Sequence, residues 1–356
     1  MRILYDYQAF IQSIGGVSRY HIELFNHFSN DIEAILPSIF SDNIYLKELK
    51  KKHFSLFPEN QSPYKKNIYK VLNILQSRFN LLTTNYDIFH PTFFNPYFIN
   101  HSHKPVVVTM HDLNHWKFPT MTVKAKIVQD KECKICNYVN HIIAISEETK
   151  KDLIEYLNIP ENKITVIYHG VDQTLIKKPL HPLIDEPYIL YIGGRSGYKN
   201  FTNFLKAYSM IDKNIHLICT GIPFNMKEQE EINKLGIKNR IHQYFATDQE
   251  LNNLLCYAIA FIYPSLGEGF GLPILEAYRC GCPCVISDIE CFHEVADKAA
   301  IYFNPYHPDD IANSITKIVY NSELSLDLKQ RGYDRMKLFT WKKSANQTEC
   351  LYKSML

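Results

Sequence analysis

Short apolar runs alternate with longer segments of helical pattern along nearly the whole chain. In the first half, apolar and β-branched residues cluster in MRILYDY, AILPSIF, YDIFHP, PVVVTMHD, HIIAIS and ITVIYHG. In the second half they cluster in YILYIGG, IHLICTG, IHQYF, AIAFIYPS and PCVISD. Continuous apolar strands separated by helices are typical of parallel sheets that are covered on both faces. The pattern therefore predicts an α/β protein.

The segment LIKKPLHPLIDEP, residues 175–187, interrupts this alternation. It is polar, contains prolines and has no period, as expected of a linker between domains. A chain of 356 residues is also too long for one ordinary core. We predict two Rossmann-like, doubly wound domains, 1–175 and 176–340, that face a deep interdomain cleft. The last residues, 341–356, are predicted to form a helix that packs back toward the first domain.

Composition and charge exclude several classes of protein. The chain is 46% hydrophobic and 21% charged, which is typical of a folded domain rather than a disordered one. Its net charge of +2 provides no general attraction for nucleic acid, so no nucleic-acid partner is expected. The N-terminal MRILYDYQAF lacks the pattern of a signal peptide, and no apolar run is long enough to span a membrane. We therefore expect a cytoplasmic protein.

The nine cysteines are odd in number and lie mostly within apolar runs, which suits a reducing compartment. Cys133 and Cys136 form a single C-x-x-C pair with no second pair at zinc spacing. Cys280, Cys282 and Cys284 alternate through CGCPCV, where a helix end turns into a strand. Packing is favoured over metal or redox chemistry for both groups.

Polar and glycine residues follow the ends of several predicted strands. In doubly wound sheets, ligands bind at the carboxyl ends of the strands. This rule selects candidate ligand-binding residues in both halves of the chain, namely Gly15, Gly16, His111, Ser146, Gly194, Arg195, Gly221 and Glu268.

The stretch LGEGFGLPILEA places two carboxylates, Glu268 and Glu276, on either side of a glycine-rich turn. The turn follows a buried strand, and Pro273 marks the first turn of a helix. A helix N-terminus with glycines nearby favours a phosphate group. Each acid then needs another partner, and sugar hydroxyls at the two ends of a diphosphate meet that need. The alternative is an ordinary strand–turn–helix in which Glu276 interacts with the helix dipole.

At this point the residues resemble a known family. PSLGEGFGLPILEAYRCGCPCVISD is similar to the E-x7-E region of the retaining glycosyltransferase family 4, which has the GT-B fold. GGVSRYHIEL, VVVTMHDL, AISEETKKDL, VIYHGVD, YIGGRSGYKNF and ATDQELNNLL resemble further landmarks of that family in the same order. GGVSRY and GGRSGYKNF also resemble the branch that builds bacterial surface polysaccharides, often with mannose donors.

The resemblance implies that the first domain binds the acceptor and the second a nucleoside-diphosphate sugar, GDP- or UDP-linked. Arg195 and Lys199 match the cations that hold the diphosphate, although the family's commoner spacing between them is one residue longer. Two fixed cations would stabilise the charge on the leaving diphosphate. No D-x-D triplet occurs in the chain, so neither a metal nor another cofactor is expected. The alternative for the two cations is a solvated helix start.

The family also implies roles for the rest of the donor site. Glu276 would accept hydrogen bonds from the ribose, and Glu268 would contact the transferred sugar. Backbone amides of the turn would meet the sugar and the phosphates, while the glycine loops of both domains approach the donor. The residues concerned are Gly15, Gly16, Gly194, Gly221, Gly269, Phe270, Gly271 and Leu272. A purely structural turn is the alternative for Gly15 and Gly16.

His111 matches the family's histidine that contacts the donor sugar near the reacting centre. The predicted catalytic residues are therefore His111, Glu268, Lys199 and Arg195. A packed histidine is the alternative for His111. For Ser146 a role as helix N-cap is equally compatible with the sequence.

The predicted activity is retaining, metal-independent transfer of a hexose, with mannose as the expected sugar, to a growing glycan. That glycan is expected to be a lipid-linked bacterial surface polysaccharide such as O-antigen or capsule. The leaving phosphate would take the acceptor's proton on the same face of the sugar. Alternatives are a GT-B-like epimerase or phosphorylase, or a non-catalytic nucleotide-sugar-binding or scaffold protein.

Residues 41–82 carry eight Lys and Arg against three Asp and Glu. Within them, PYKKNIYKVLNILQSRFNLL has the pattern of a basic helix with an apolar face. One interpretation is peripheral contact with the cytoplasmic face of the inner membrane. The other is a core helix whose basic face is solvated.

Overall fold

The computed structural model describes residues 1–13, 15–37, 39–48, 53–54 and 65–356. The chain forms two compact units. Unit 1 comprises residues 1–116, 124–170 and 341–356, and unit 2 comprises residues 117–123 and 171–340. Both are built from parallel strands and helices, as the alternating pattern predicts.

Unit 1 contains parallel strands in the orders β2-β1-β5 and β6-β7-β8, together with the pair β3-β4. A parallel bridge pairs Phe89 of β5 with Val106, the residue directly before β6. The predicted strand AILPSIF is divided into β2 and β3 around Pro37, which has no N–H for a sheet hydrogen bond. The strands are β1 (Arg2–Tyr5), β2 (Glu33–Ile35), β3 (Ile39–Phe40), β4 (His53–Phe54), β5 (Ile88–His90), β6 (Val107–Met110), β7 (His141–Ala144) and β8 (Ile164–Val166).

Helices cover these strands on both faces. On one face the strands pack in a large apolar cluster that includes Leu4, Phe89 and Val108. On the other face they pack in a second cluster that includes Ile3, Ile88 and Val107. Successive residues of one strand thus enter opposite cores, which explains the continuous apolar runs. The helices of this part of the chain are α1 (Gly16–His27), α2 (Ile44–Glu48), α3 (Lys65–Thr83), α4 (Asn114–Lys117), α5 (Ala125–Tyr138) and α6 (Glu147–Leu157).

Unit 2 has one six-stranded parallel sheet in the order β11-β10-β9-β12-β13-β14. Five of its strands are predicted by the pattern, and the edge strand β14 is not. The strands are β9 (Tyr188–Tyr191), β10 (His216–Thr220), β11 (Ile241–Tyr244), β12 (Phe261–Tyr263), β13 (Cys284–Ser287) and β14 (Ala300–Phe303). The helices are α7 (Phe201–Met210), α8 (Met226–Lys234), α9 (Asp248–Tyr257), α10 (Leu272–Arg279), α11 (Glu290–Ala296), α12 (Pro308–Val319) and α13 (Ser322–Met336).

The boundary between the two units lies close to the predicted division. The sequence places the division between 175 and 176, whereas unit 2 begins at Val171. The Val171 amide donates to Phe339 O at 3.0 Å, and Gln173 Nε2 donates to the same oxygen at 2.9 Å. Arg279 binds Thr174 O through Nε at 2.6 Å and Asp172 through Nη2 at 2.9 Å. These contacts hold residues 171–174 against unit 2, directly before the predicted linker 175–187.

Residues 117–123 are a second departure from the predicted division, because they belong to unit 2 although they lie within the first half of the chain. The Phe118 ring stacks on Tyr198 with centroids 5.8 Å apart. Tyr198 belongs to the turn Gly197–Lys199. A segment distant in sequence thus supports the turn that carries Lys199.

The final helix, α14 (Trp341–Ser354), belongs to unit 1. The Tyr352 hydroxyl is 2.8 Å from the Tyr5 hydroxyl and 2.6 Å from His90 Nδ1. The Glu349 carboxylate accepts from the Ser29 amide at 2.6 Å and from its hydroxyl at 2.7 Å. The helix therefore completes the buried face that begins with β1.

Candidate active site

The strand order of unit 2 places a ligand crevice at one end of the sheet. Strands β10 and β11 lie on one side of β9 and strands β12 to β14 lie on its other side, and such a switch point in strand order is where doubly wound sheets bind ligands. The loop after β9 contains Gly193, Gly194 and Arg195, and the loop after β12 contains Glu268 and Gly269. Because β9 and β12 pair in parallel, both loops emerge at the same edge. The sequence-predicted donor residues of the second half therefore come together in one unit.

Lys199 and Glu268 form the ion pair of this crevice. Lys199 Nζ lies 2.6 Å from Glu268 Oε1, and the two side chains are 23% and 11% exposed. The ammonium also lies 5.2 Å from the centre of the Tyr198 ring and 5.9 Å from that of Tyr263. Aromatic neighbours reduce access of water, so this cation acts more strongly on a nearby anion than a surface lysine would.

The glycine turn leads directly into α10. Gly271 is its N-cap, with φ 107° and ψ 45°, a conformation that side chains other than glycine rarely adopt. A Cβ at Gly271 would also lie 3.1 Å from both Ile274 and Phe292. Pro273 lies in the first turn, as predicted. The turn thus presents backbone at the positive end of a helix, which is the arrangement that binds phosphate.

Phe270 and Glu276 have different surroundings. Phe270 is 3% exposed, and its ring packs edge-on against Phe339 with centroids 5.7 Å apart. Its side chain therefore anchors the turn. Glu276 lies one turn into α10 and is half-buried. Its assignment to the ribose stays a prediction.

Arg195 is more constrained than the sequence suggests. Its Nε lies 3.0 Å from Glu228 Oε1, and its Nη2 donates to the carbonyls of Ile222 at 2.7 Å and Pro223 at 2.9 Å. The guanidinium also lies over the Phe224 ring at 4.9 Å. Only Nη1 is buried without a hydrogen-bond partner. Arg195 is therefore not a free cation, and Nη1 is the one group that it offers to an anion.

Two glycines beside Arg195 shape the backbone of the crevice. Gly221 follows β10 with φ 114°, and its amide donates to Tyr244 O at 3.1 Å. A Cβ on Gly221 would lie 3.9 Å from Arg195 Nη1. The Gly194 carbonyl accepts from the Tyr191 hydroxyl at 2.5 Å. Both glycines thus lie beside Arg195, and their donor-binding role stays a prediction.

In unit 1, the switch point lies between β1 and β5, and Gly15 and Gly16 are near it. Gly15 is the extended N-cap of α1, and Gly16 is the first residue of that helix. Apart from Gly16 itself, its two neighbours and the backbone of its own helix, no atom of the described residues lies within 4 Å of a Cβ built on Gly16. A small cavity of about 70 Å³ is lined by Gln8, Ala9, Gln12, Gly15, Gly16, Val17, Ser18 and Phe93. The space at Gly16 is therefore open to a ligand.

His111 follows β6 in unit 1, as predicted, and is packed among aromatic rings. It stacks on His169 with centroids 5.6 Å apart and meets Tyr20 edge-on at 5.2 Å. Its Nε2 is enclosed without a hydrogen-bond partner. Burial lowers the pKa of His111 to about 4, so the ring is neutral at pH 7. Its predicted contact with a donor sugar is not tested by these contacts.

Ser146 is a helix N-cap. Its hydroxyl accepts from the Thr149 amide at 3.0 Å at the start of α6. This is one of the two interpretations that the sequence allows, and the serine is fully buried.

Cys136, Cys280, Cys282 and Cys284 are also buried, and all are free thiols. Packing accounts for these side chains.

Sequence reasoning missed two buried acids of unit 1. Asp6 follows β1, and its carboxylate accepts from the amides and side chains of Gln8 and Thr92 and from the Tyr97 hydroxyl. Burial raises the pKa of Asp6 against the lowering effect of the Thr92 and Gln8 hydrogen bonds. Nothing in the local pattern distinguishes it from other strand-end aspartates. Its hydrogen bonds hold the loops after β1 and β5 together.

The second acid is Glu132 in α5. It accepts from Trp116 Nε1 at 2.8 Å and is 1% exposed. Burial raises the pKa of Glu132 to about 8. Trp116 belongs to α4, the short helix that begins at Asn114 just after His111, so Glu132 holds the segment next to the histidine.

Solved structures show which fold these two units define. HepE of Anabaena, whose structure contains UDP and glucose, has a TM-score of 0.77 at 16% identity, covering 100% of this chain and 99% of HepE. Sucrose-phosphate synthase of Thermosynechococcus elongatus has a TM-score of 0.76 at 18% identity, covering 99% and 98%. The chain has the two-domain GT-B glycosyltransferase fold, as predicted from the resemblance.

Family models extend this result to sequence. The model for Glycosyltransferase Family 4 matches residues 14–175, and the model for Glycosyl transferases group 1 matches residues 172–335. The chain belongs to the group 1 glycosyltransferases of family 4. The predicted family is therefore confirmed, and the chain is a glycosyltransferase.

The curated relatives include O-antigen mannosyltransferases. RfbU of Salmonella typhimurium is 29% identical over 205 residues, which are 56% of this chain and 56% of RfbU. O-antigen chain mannosyltransferase B of Escherichia coli is 24% identical over 387 residues, covering 99% of this chain and 100% of that enzyme. The match thus spans about half of RfbU. These relatives support the predicted mannosyltransferase-like branch.

Proposed function

We propose that this chain is a retaining hexosyltransferase that uses a nucleoside-diphosphate sugar, GDP- or UDP-linked, without a metal ion. Mannose is the proposed sugar, because O-antigen mannosyltransferases are among its relatives. The proposed acceptor is a growing, lipid-linked glycan of a bacterial surface polysaccharide. The observation that carries the donor assignment is the Lys199–Glu268 pair beside the N-terminus of α10 at the switch point of unit 2.

The donor diphosphate would bind at the turn before α10. Backbone at a helix N-terminus supplies partial positive charge, and Lys199 supplies a full one. Transfer leaves an additional negative charge on the departing diphosphate, so a fixed cation stabilises the transition state more than the ground state. Arg195 Nη1 is a second donor in the same crevice. No metal ion is needed to balance this charge.

The two glutamates would contact different parts of the donor. Glu276, one turn into α10, accepts from the ribose hydroxyls, and Glu268 contacts the hexose. Binding of the diphosphate would replace Glu268 as the partner of Lys199, which releases the carboxylate toward the sugar. In same-face transfer the leaving phosphate oxygen takes the proton of the acceptor hydroxyl, and no glycosyl–enzyme bond forms. His111 is a neutral hydrogen-bonding group for the sugar.

Thermal-shift screening with GDP, UDP and ADP and their sugars tests the donor assignment. A ligand of the folded state raises the melting temperature by mass action. We expect a guanosine or uridine diphosphate to stabilise the protein, and Glu276→Ala to remove this effect along with donor hydrolysis. The absence of a shift with every nucleotide would contradict the proposal.

The stereochemical assignment is tested separately. With GDP-mannose and a glycan acceptor, the anomeric proton of the product, observed by NMR, should show the same configuration as the donor. Transfer should continue in the presence of EDTA. Inversion, or loss of transfer that added Mg²⁺ restores, would refute the corresponding part of the proposal.

A further inference from the structure

Helix α3 of unit 1 has an apolar stripe that faces solvent. Its five residues are 38–65% exposed and recur at spacings of three or four, so they lie on one side of the helix. At 1.5 Å per residue the stripe is ~21 Å long. The members of this stripe are Ile68, Val71, Leu75, Phe79 and Leu82.

The opposite side of α3 is firmly packed, so the stripe is not exposed because the helix is loose. Tyr69, Asn73, Ser77 and Leu81 are at most 8% exposed. Asn73 accepts from the Phe40 amide and donates to the Phe40 carbonyl, both at 2.9 Å. These two hydrogen bonds pair with the amide and the carbonyl of Phe40 in β3, as the backbone of a neighbouring strand would. They fix α3 to that strand. The orientation of the apolar stripe is therefore set by the fold.

The charge of α3 identifies the partner. The helix carries Lys65, Lys66, Lys70 and Arg78 and no acidic residue. Lys70 and Arg78 are exposed. A shallow apolar groove of about 350 Å³, lined by Asn67, Ile68, Val71 and Leu72, opens at the start of the stripe. Apolar side chains with cations on the same helix match the interface of an anionic lipid bilayer.

Charge also argues against a second copy of this chain as the partner. A symmetric contact of α3 with itself would bring together two helices of four positive charges each, with no acid on either. An anionic bilayer instead gains from every one of these charges. Among the described residues, no helix is long and apolar enough to cross a membrane.

We propose that the α3 stripe docks unit 1 on an anionic membrane surface, with the apolar side chains inserted below the headgroups and the cations among them. The proposal rests on the lipid-linked acceptor of the proposed function, because docking would bring the enzyme to the leaflet that displays such an acceptor. The sequence allows two interpretations of this helix, contact with a membrane or packing in the core with a solvated basic face, and the structure combines parts of both. The buried side of α3 packs in the core, and the solvent-facing side is apolar rather than only basic.

Vesicle flotation with the full-length protein tests the proposal. Vesicles of phosphatidylethanolamine with and without phosphatidylglycerol are compared at low and high salt. The wild-type protein should float with anionic vesicles. Leu75→Ser combined with Phe79→Ser should lower the bound fraction roughly tenfold or more, because both side chains lose their apolar insertion. Lys70→Glu with Arg78→Glu should remove the preference for anionic lipid and its salt dependence.

Leu326→Ser with Leu338→Ser is the matched control. These leucines of unit 2 are 68% and 52% exposed, so their loss removes similar apolar surface elsewhere and should leave flotation unchanged. All changed residues are exposed, and unchanged melting temperatures show that each variant is folded. Equal flotation of the α3 and control variants would overturn the proposal.

Failure of the wild-type protein to float would also overturn it. A concentration-dependent dimer in sedimentation velocity that Leu75→Ser with Phe79→Ser abolishes would assign the stripe to a second copy instead. Flotation uses neither donor nor acceptor, whereas the proposed function is tested by nucleotide stabilisation and transfer. The two proposals can therefore fail independently.

Discussion

Replacing Glu268 with Gln removes the carboxylate that holds Lys199 and preserves the shape of the side chain. Lys199→Met removes the opposite charge, and the double variant removes both. If the diphosphate competes with Glu268 for Lys199, the two single changes act in opposite directions on nucleotide affinity. Glu268→Gln should strengthen binding of GDP or UDP, whereas Lys199→Met should weaken it.

The structure sets the magnitude. At 2.6 Å the gross attraction between two unit charges is ~6 kcal/mol for an effective dielectric constant of about 20. The side chains are 23% and 11% exposed, so loss of hydration offsets much of this attraction. We expect a net coupling of ~1–3 kcal/mol, between the values of exposed and fully buried pairs. Release of Lys199 should therefore tighten diphosphate binding by roughly tenfold.

Titration calorimetry with GDP and UDP measures the affinities of the four proteins, and urea unfolding of the same proteins gives the coupling free energy by a double-mutant cycle. Both single variants should lower kcat with a sugar donor by roughly a hundredfold or more, because each removes a group proposed to contact the reacting donor. Weaker binding of free diphosphate to Glu268→Gln would refute the proposed exchange of partners. A coupling free energy near zero would refute the ion pair itself.

Three other predictions concern single residues. The pKa of Glu132 is raised to about 8 in the folded chain, so the folded state retains a proton that the unfolded state loses above the ordinary glutamate value. Relative to Glu132→Gln, the free energy of unfolding of the wild type should therefore fall by ~1.4 kcal/mol per pH unit between about pH 5 and 7; urea-unfolding free energies that change equally with pH in both proteins would contradict this. Gly271→Ala should cost ~1–3 kcal/mol in urea unfolding, because φ is 107° and the added methyl is crowded, whereas Gly16→Ala should be close to neutral for stability. With a pKa of about 4, His111 stays neutral from about pH 5.5 to 8, so His111→Gln should lower kcat without changing the shape of the pH–rate profile. If the wild-type profile has an inflection in that range and His111→Gln removes it, the assignment of a neutral His111 is wrong.

The local sequence pattern predicts most of the strands in both units. Eleven continuous apolar runs separated by helical patterns predict strands, and strands form in all of them. The edge strand β14 and the two-residue β4 are not predicted. The glycine turn before α10 was also readable, since Gly271 and Pro273 have local backbone requirements.

Contacts between distant residues could not be read in this way. Arg195 is held by Glu228, 33 positions later in the chain, and no local signal indicates that pairing. The donors to Asp6 include Thr92 and Tyr97, which are 86 and 91 positions away. Residues 117–123 belong to unit 2, and there Phe118 stacks on Tyr198, 80 positions away in the chain. Such features depend on which elements meet in space, so a single sequence does not specify them.

The membership of α14 in unit 1 has a consequence for synthesis on the ribosome. The Tyr352 hydroxyl is hydrogen-bonded to the Tyr5 hydroxyl across 347 positions, so the core around β1 is not closed until α14 has been synthesised. Apart from residues 117–123, unit 2 is one uninterrupted stretch, 171–340, and can complete its sheet earlier. Unit 1, most of which is translated before unit 2, is thus finished last. A nascent chain lacking α14 leaves the Tyr5 hydroxyl without Tyr352 and the Ser29 amide and hydroxyl without Glu349. Chaperone contact during translation should concentrate on this incomplete face.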